Sequence, residues 1–134
     1  MKKSVKIVAA LCLMAALVLT LAACGKKDPV GIWECTNYQE AIIKGYRASG
    51  ISDEEINRVI ESGPLSATMI LDAEHVATVS TCKGGHVSKH VIEWMETENG
   101  IATIDDHERI LYYEWDGSNL VCIDQGIEMI FKKR

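Results

Sequence analysis

The sequence predicts a mainly β fold: a small eight-strand antiparallel up-and-down barrel with a helical cap after strand one. Three observations predict it. Seven short runs rich in Val, Ile, Thr and aromatics follow Ser66, a further such run stands at residues 31–38, and a segment with clear helix boundary signals lies between them. The runs recur at roughly the 8–12-residue spacing of a meander. Strands and helices do not alternate, which argues against a parallel sheet. Eight short strands would expose unpaired edges, so closure into a barrel or tight sandwich is expected, with the last strand pairing with the first.

Taken in chain order, the first element is not part of that fold. Lys2, Lys3 and Lys6 precede an uncharged run over residues 7–23. A basic start, an apolar middle and small residues at its end are the layout of an export signal. At about 17 residues the run is at the bottom of the spanning range. Leu21-Ala22-Ala23-Cys24 resembles the lipobox of bacterial lipoproteins. In that family the cysteine thiol takes a diacylglyceryl group and a peptidase cuts just before it. The resemblance implies a signal peptide over residues 1–23, lipidation of Cys24 by palmitate-type chains, a tether over residues 24–30, and a domain over residues 31–134 held to the outer face of a bacterial membrane. Each buried methylene contributes about 0.8 kcal/mol, so two chains make a stable anchor.

The chain carries 14 Lys and Arg against 19 Asp and Glu, a formal net charge of −5. Three of those lysines belong to the signal, so the rest carries about −8. Such a surface argues against nucleic acid as a partner, because phosphate contacts need clustered basic residues. The basic run Lys132-Lys133-Arg134 ends the chain and reads as a solvated tail. Beyond the lipidated position, Cys35, Cys82 and Cys122 are an odd number with no C-x-x-C spacing. At least one is unpaired within the chain, and the expectation is buried free thiols that pack as small apolar residues.

In "GIWECTNY", residues 31–38, Trp33 and Cys35 share one face of the first strand. The helical insert covers residues 39–63. Its second part is the better defined: Ser52 is an N-cap with Glu55 three residues on, a capping box, and Ile51 and Ile56 stand at staple positions. Asp53, Glu54 and Glu55 suit the helix dipole, Gly63-Pro64 stops the helix, and Ile56, Val59 and Ile60 form the stripe to be buried. Upstream, "QEAIIKGYRA" reads as a shorter helix burying Ile42, Ile43 and Tyr46, weakened by Gly45. From Ser66 on, the runs are separated by turn residues: Asp72-Ala73-Glu74, Gly84-Gly85, Glu98-Asn99-Gly100, Asp105-Asp106, Asp116-Gly117-Ser118 and Asp124-Gln125-Gly126.

This order of strand, helical cap and meander resembles lipocalin-like barrels, among them the fatty-acid-binding type with its lid after strand one. Gly31-Ile32-Trp33 matches the G-x-W that opens strand one in that superfamily, where the tryptophan closes the barrel floor. The chain also resembles small lipocalin-like lipoproteins of bacteria, which begin G-x-W just after a lipidated cysteine. They end in hairpins like Asp116-Gly117 and Asp124-Gln125-Gly126 before an M-x-F strand, here Met129-Ile130-Phe131. The resemblance implies a binding module.

Two polar constellations stand out. Cys82, His86 and His90 are zinc-type ligands, but on a strand His86 and His90 lie roughly 13 Å apart, so a polar strand face is expected and no metal. Asp105-Asp106-His107-Glu108 at a turn reads as solvated, since adjacent residues diverge. No catalytic signature is visible, and neither enzyme activity nor a cofactor is expected. The aromatics carry more information. An eight-strand barrel is just wide enough for side chains or one small ligand. Trp94 shares a face with Ile92 and His90, and Tyr113 with Leu111 and Trp115. Trp33, His90, Trp94, Tyr112 and Tyr113 are therefore the candidate residues of an apolar pocket beneath the cap, with Tyr112 or His90 as its polar group. The expected function is non-enzymatic binding of a small amphipathic or hydrophobic ligand or a peptide outside the cytoplasm. The alternative is a protein-interaction or inhibitor module acting on an envelope protein.

Overall fold

The computed structural model describes residues 27–134. The expected signal peptide and the expected lipidation site Cys24 lie outside the described residues. The chain runs β1 (Gly31–Cys35), α1 (Tyr38–Ala48), α2 (Asp53–Glu61), β2 (Ser66–Leu71), β3 (Val76–Lys83), β4 (His86–Glu96), β5 (Gly100–Ile104), β6 (Ile110–Asp116), β7 (Asn119–Asp124) and β8 (Ile127–Lys133). The eight strands form one closed antiparallel barrel in which sequence neighbours pair and β1 closes on β8. Among the described residues no helix is long and apolar enough to cross a membrane.

Strand alternation decides what fills the barrel. Trp33, Met69, Leu71, Ala77, Trp94, Ile101, Tyr113, Leu120, Cys122 and Phe131 are buried together on the inner face. One end of this core lies where β1 begins. There Trp33 is fully buried, its indole N–H donates to the Pro29 carbonyl at 2.8 Å, and its ring lies 5.7 Å from that of Trp115. Trp94 is held in the same way, donating to the Asp72 carbonyl at 3.0 Å. A buried indole needs such an acceptor. The Asp72 carboxylate also accepts the Glu74 and Val76 amides at 2.9 Å each, which fixes the β2–β3 turn.

The opposite end, the mouth, carries both helices and the turns after β3, β5 and β7. α2 matches its boundary signals: the Ser52 hydroxyl accepts the Glu55 amide at 3.3 Å, and Ile56 is buried. α1 differs from expectation. It has eleven residues against nine in α2, and it buries Tyr38 and Ala41 while Ile42, Ile43 and Tyr46 stay partly exposed. A Cβ at Gly45 would stand 3.0 Å from the Ile127 side chain, so the missing side chain admits β8 against the helix. β1 also stops earlier than residues 31–38 suggest. The Asn37 side chain accepts the Ile130 amide and donates to the Glu128 carbonyl, both at 2.9 Å, and so replaces the β1–β8 ladder where α1 begins. Tyr38, Leu65 and Ala67 form a second small core against Ile42, Val59, Ile60 and Met129, joining the helices to the rim.

Two substitutions separate local from tertiary determinants. Removing the cap with Ser52→Ala should cost about 1 kcal/mol. Gly100→Ala would place a methyl 1.8 Å from the Tyr113 carbonyl oxygen, and this backbone clash should cost about 3 kcal/mol or more. Urea unfolding of both variants beside the parent chain should show that order.

Candidate functional site

The barrel wall is most deeply interrupted between β4 and β5. β4 has eleven residues and β5 has five. β3 follows β4 along its length from His86 to Glu93, whereas β5 pairs only with residues 93–96. Beyond Ile104 the chain leaves the sheet in a turn set by Asp105, whose carboxylate accepts the His107 and Arg109 amides at 2.9 Å each. Arg109 is in turn ion-paired to Asp124 at the start of the β7–β8 turn. The β3–β4 hairpin therefore projects past its neighbour, and a cleft of about 490 Å3 opens between hairpin and turn. Val79, Ile92, Thr103, Leu111 and Tyr113 make its floor; Lys89 and His90 stand on one bank, Asp105, Asp106 and His107 on the other.

Of the candidate residues, the structure brings His90 and Tyr113 together in this cleft. Trp33 and Trp94 share the inner face but lie in the packed core. Tyr112 is on the outer wall, 61% exposed, because its neighbour Tyr113 points inward. The five do not form one pocket. Leu111, Thr103, Asp105 and His107 complete the site and were not among the candidates. The available signal was the unequal length of "HVSKHVIEWME" and "GIATI", which leaves half of one strand without a partner.

The floor is held uncharged. Burial pushes the Tyr113 phenol well above its usual range. Burial likewise raises the Cys122 thiol to about 11 and raises Cys35. Asp105 at the rim is shifted the other way: the Arg109 amide, then that of His107, stabilise its carboxylate and lower its pKa. An apolar floor under a rim carrying both signs of charge suits an amphipathic ligand.

The same geometry bears on chemistry. Cys35, Cys82 and Cys122 are free thiols. A nucleophilic cysteine needs a lowered pKa, and Cys35 and Cys122 are raised. Cys82 lies opposite Ser66 and Val87 on the outer face, while His86 and His90 alternate onto the inner one, so the three are not brought together. Among the described residues no group of three or more His, Cys, Asp or Glu is placed to hold a metal ion. Comparison with protein-family models, with curated proteins and with solved structures found no match.

The raised thiols and phenols make stability pH-dependent on the alkaline side. Well below pH 9, the ordinary thiol value, these groups are protonated whether the chain is folded or not, and contribute no slope. Above it the unfolded Cys122 loses its proton while the folded one keeps it up to about 11. Stability should fall over that window by up to about 1.4 kcal/mol per pH unit from Cys122. Urea midpoints from pH 8 to 11 should show the decline, and Cys122→Ala should flatten it by up to one group's share.

Proposed function

We propose that the chain is a non-enzymatic binding module working outside the cytoplasm, anchored to a bacterial membrane through lipid on Cys24, with its ligand in the mouth cleft. The observation that carries this reading is the interrupted β4–β5 ladder above an uncharged floor. The ligand is amphipathic: its apolar part lies over Tyr113, Leu111 and Ile92, and its polar part meets His90, Lys89 and the Asp105–Arg109 turn. In this reading α1 and α2 are a lipocalin-like cap. They cover the side of the mouth formed by β8, β1 and β2, with α2 reaching the β3–β4 turn, where Gly63 and Ser62 lie against Gly84 and Gly85. Access is left on the β4–β6 side.

A specific feature favours the second reading, a protein-interaction or inhibitor module. The ladder register sets Met95, Ala102 and Tyr112 in one row across the outside of three strands, and Ile110 and Ile123 are exposed on the same outer face. Ile110, Tyr112 and Ile123 are 47%, 61% and 65% exposed. Glu93, Glu114 and Glu128 border the row, so the complementary partner is a protein with an apolar centre and a basic rim. A second copy would set glutamates against glutamates.

Anilinonaphthalene sulfonate, an amphipathic fluorophore, tests the cleft. It should bind the parent chain, and Leu111→Trp, which fills the cleft, should weaken it at least tenfold. Tyr112→Ala on the outer wall should leave it unchanged; the reverse pattern removes the cleft from consideration. For the anchor, radiolabelled palmitate should mark the parent chain in bacterial cells and not Cys24→Ser. Equal labelling of the two would refute lipidation.

A further inference from the structure

The backbone directions of β4 can be followed residue by residue. The β3–β4 turn is the pair Gly84-Gly85 at φ 57° and 82°. Two left-handed residues in a two-residue loop make a type I′ hairpin, in which the flanking Lys83 and His86 exchange hydrogen bonds. Every second residue of β4 then bonds to β3: His86, Ser88, His90 and Ile92. The far end agrees, for Trp94, of the same parity, donates its amide to the His75 carbonyl at 3.0 Å. On the other side the Thr97 amide donates to the Gly100 carbonyl at 2.9 Å, so the odd-numbered Met95 and Glu93 bond to β5. Val91, Lys89 and Val87 continue that odd series. Their N–H and C=O groups point toward β5, where among the described residues no strand meets them.

We propose that the mouth cleft is a peptide site, in which an extended segment adds itself as a strand along Val87, Lys89 and Val91 and sends alternate side chains over Tyr113. This rests on the cleft being the binding site and names its ligand class. Three backbone donors and three acceptors at two-residue spacing are the complement of an extended chain. In the added strand, residues opposite Ser88, His90 and Ile92 turn inward and occupy the space above Val79, Leu111 and Tyr113. Those opposite Val87, Lys89 and Val91 turn outward. Lys89 stands mid-edge, and opposite charges paired across strands are favourable, so the segment carries Asp or Glu opposite it. A second copy of the chain is the poorer occupant. Edge-to-edge pairing centred on Lys89 would put two lysines face to face, and each copy's inward side chains would stay in its own barrel and leave the cleft unfilled.

The probe is the acetylated, amidated heptapeptide Lys-Thr-Val-Glu-Leu-Thr-Lys, whose Val and Leu would point inward and whose Glu would face Lys89. It should displace anilinonaphthalene sulfonate and slow hydrogen exchange at the amides of Val87, Lys89 and Val91 at least tenfold. Ser88 and His90, already bonded to β3, should not change. Replacing the peptide's Glu by Lys should weaken binding at least threefold. Lys89→Pro removes the central free N–H without touching the β3 ladder, and peptide affinity should fall at least tenfold. The parent chain offers a second route: the peptide N-methylated at Glu should bind at least tenfold more weakly. A peptide that does not bind, or that binds without protecting the three amides, overturns strand addition. Fluorophore binding that survives Leu111→Trp overturns the cleft itself, which keeps the two failures apart.

Discussion

Closure of the sheet on itself is the constraint from which the rest of this structure follows. β1 and β8 meet over only three register pairs, Trp33 with Lys133, Glu34 with Lys132 and Cys35 with Phe131. The seam is lengthened at both ends by bonds outside the regular ladder. Thr36 donates its amide to the Ile130 carbonyl and the Asn37 side chain takes the next groups, while at the other end the Arg134 amide reaches the Ile32 carbonyl and its guanidinium pairs with Glu34. Without that seam two strand edges would face water and the inner face would lose its enclosure. With it, Trp33, Leu120, Cys122 and Phe131 can be wholly or almost wholly buried in a small barrel.

Closure also explains why the cleft is confined to one place. A barrel of this size leaves little interior once Trp33, Met69, Trp94 and Ile101 are in place. The space that opens into the barrel interior lies where the long β4 adjoins the short β5. Packing and recognition are thus divided along the barrel axis. The aromatic pair Trp33 and Trp115 consolidates one end, and Tyr113, which packs edge-on to Phe131, marks the level at which the core gives way to the cleft.

Features encoded within a few residues were legible in the sequence. Ser52 with Glu55 and the separating turns gave α2 and the strand count, because caps and turns are set by local backbone chemistry. Features that depend on a distant strand were not. Nothing near Gly45 announces that Ile127 will pack against it, and nothing near Asn37 announces Ile130 and Glu128 as its partners. The site was partly readable. Alternation placed His90 with Ile92 and Tyr113 with Leu111, and the same alternation excludes Tyr112 from their face. Which bank stands opposite His90 depends on the β4–β5 register, a long-range property that no single window contains.

The docking of the first described residues gives the molecule a direction. Pro29 is buried, the Asp28 carbonyl accepts the Lys133 ammonium at 2.8 Å, and the Lys27 ammonium stands 5.4 Å from the centre of the Trp115 ring. The chain is therefore already fastened to the tryptophan-packed pole of the barrel by residue 27. In the proposed anchoring, Cys24 stands three residues before Lys27, a reach of about 10 Å. That pole would then rest on the bilayer, Lys27, Lys132 and Lys133 among the phosphates, and the binding face would look outward from the cell, upright on a short stalk.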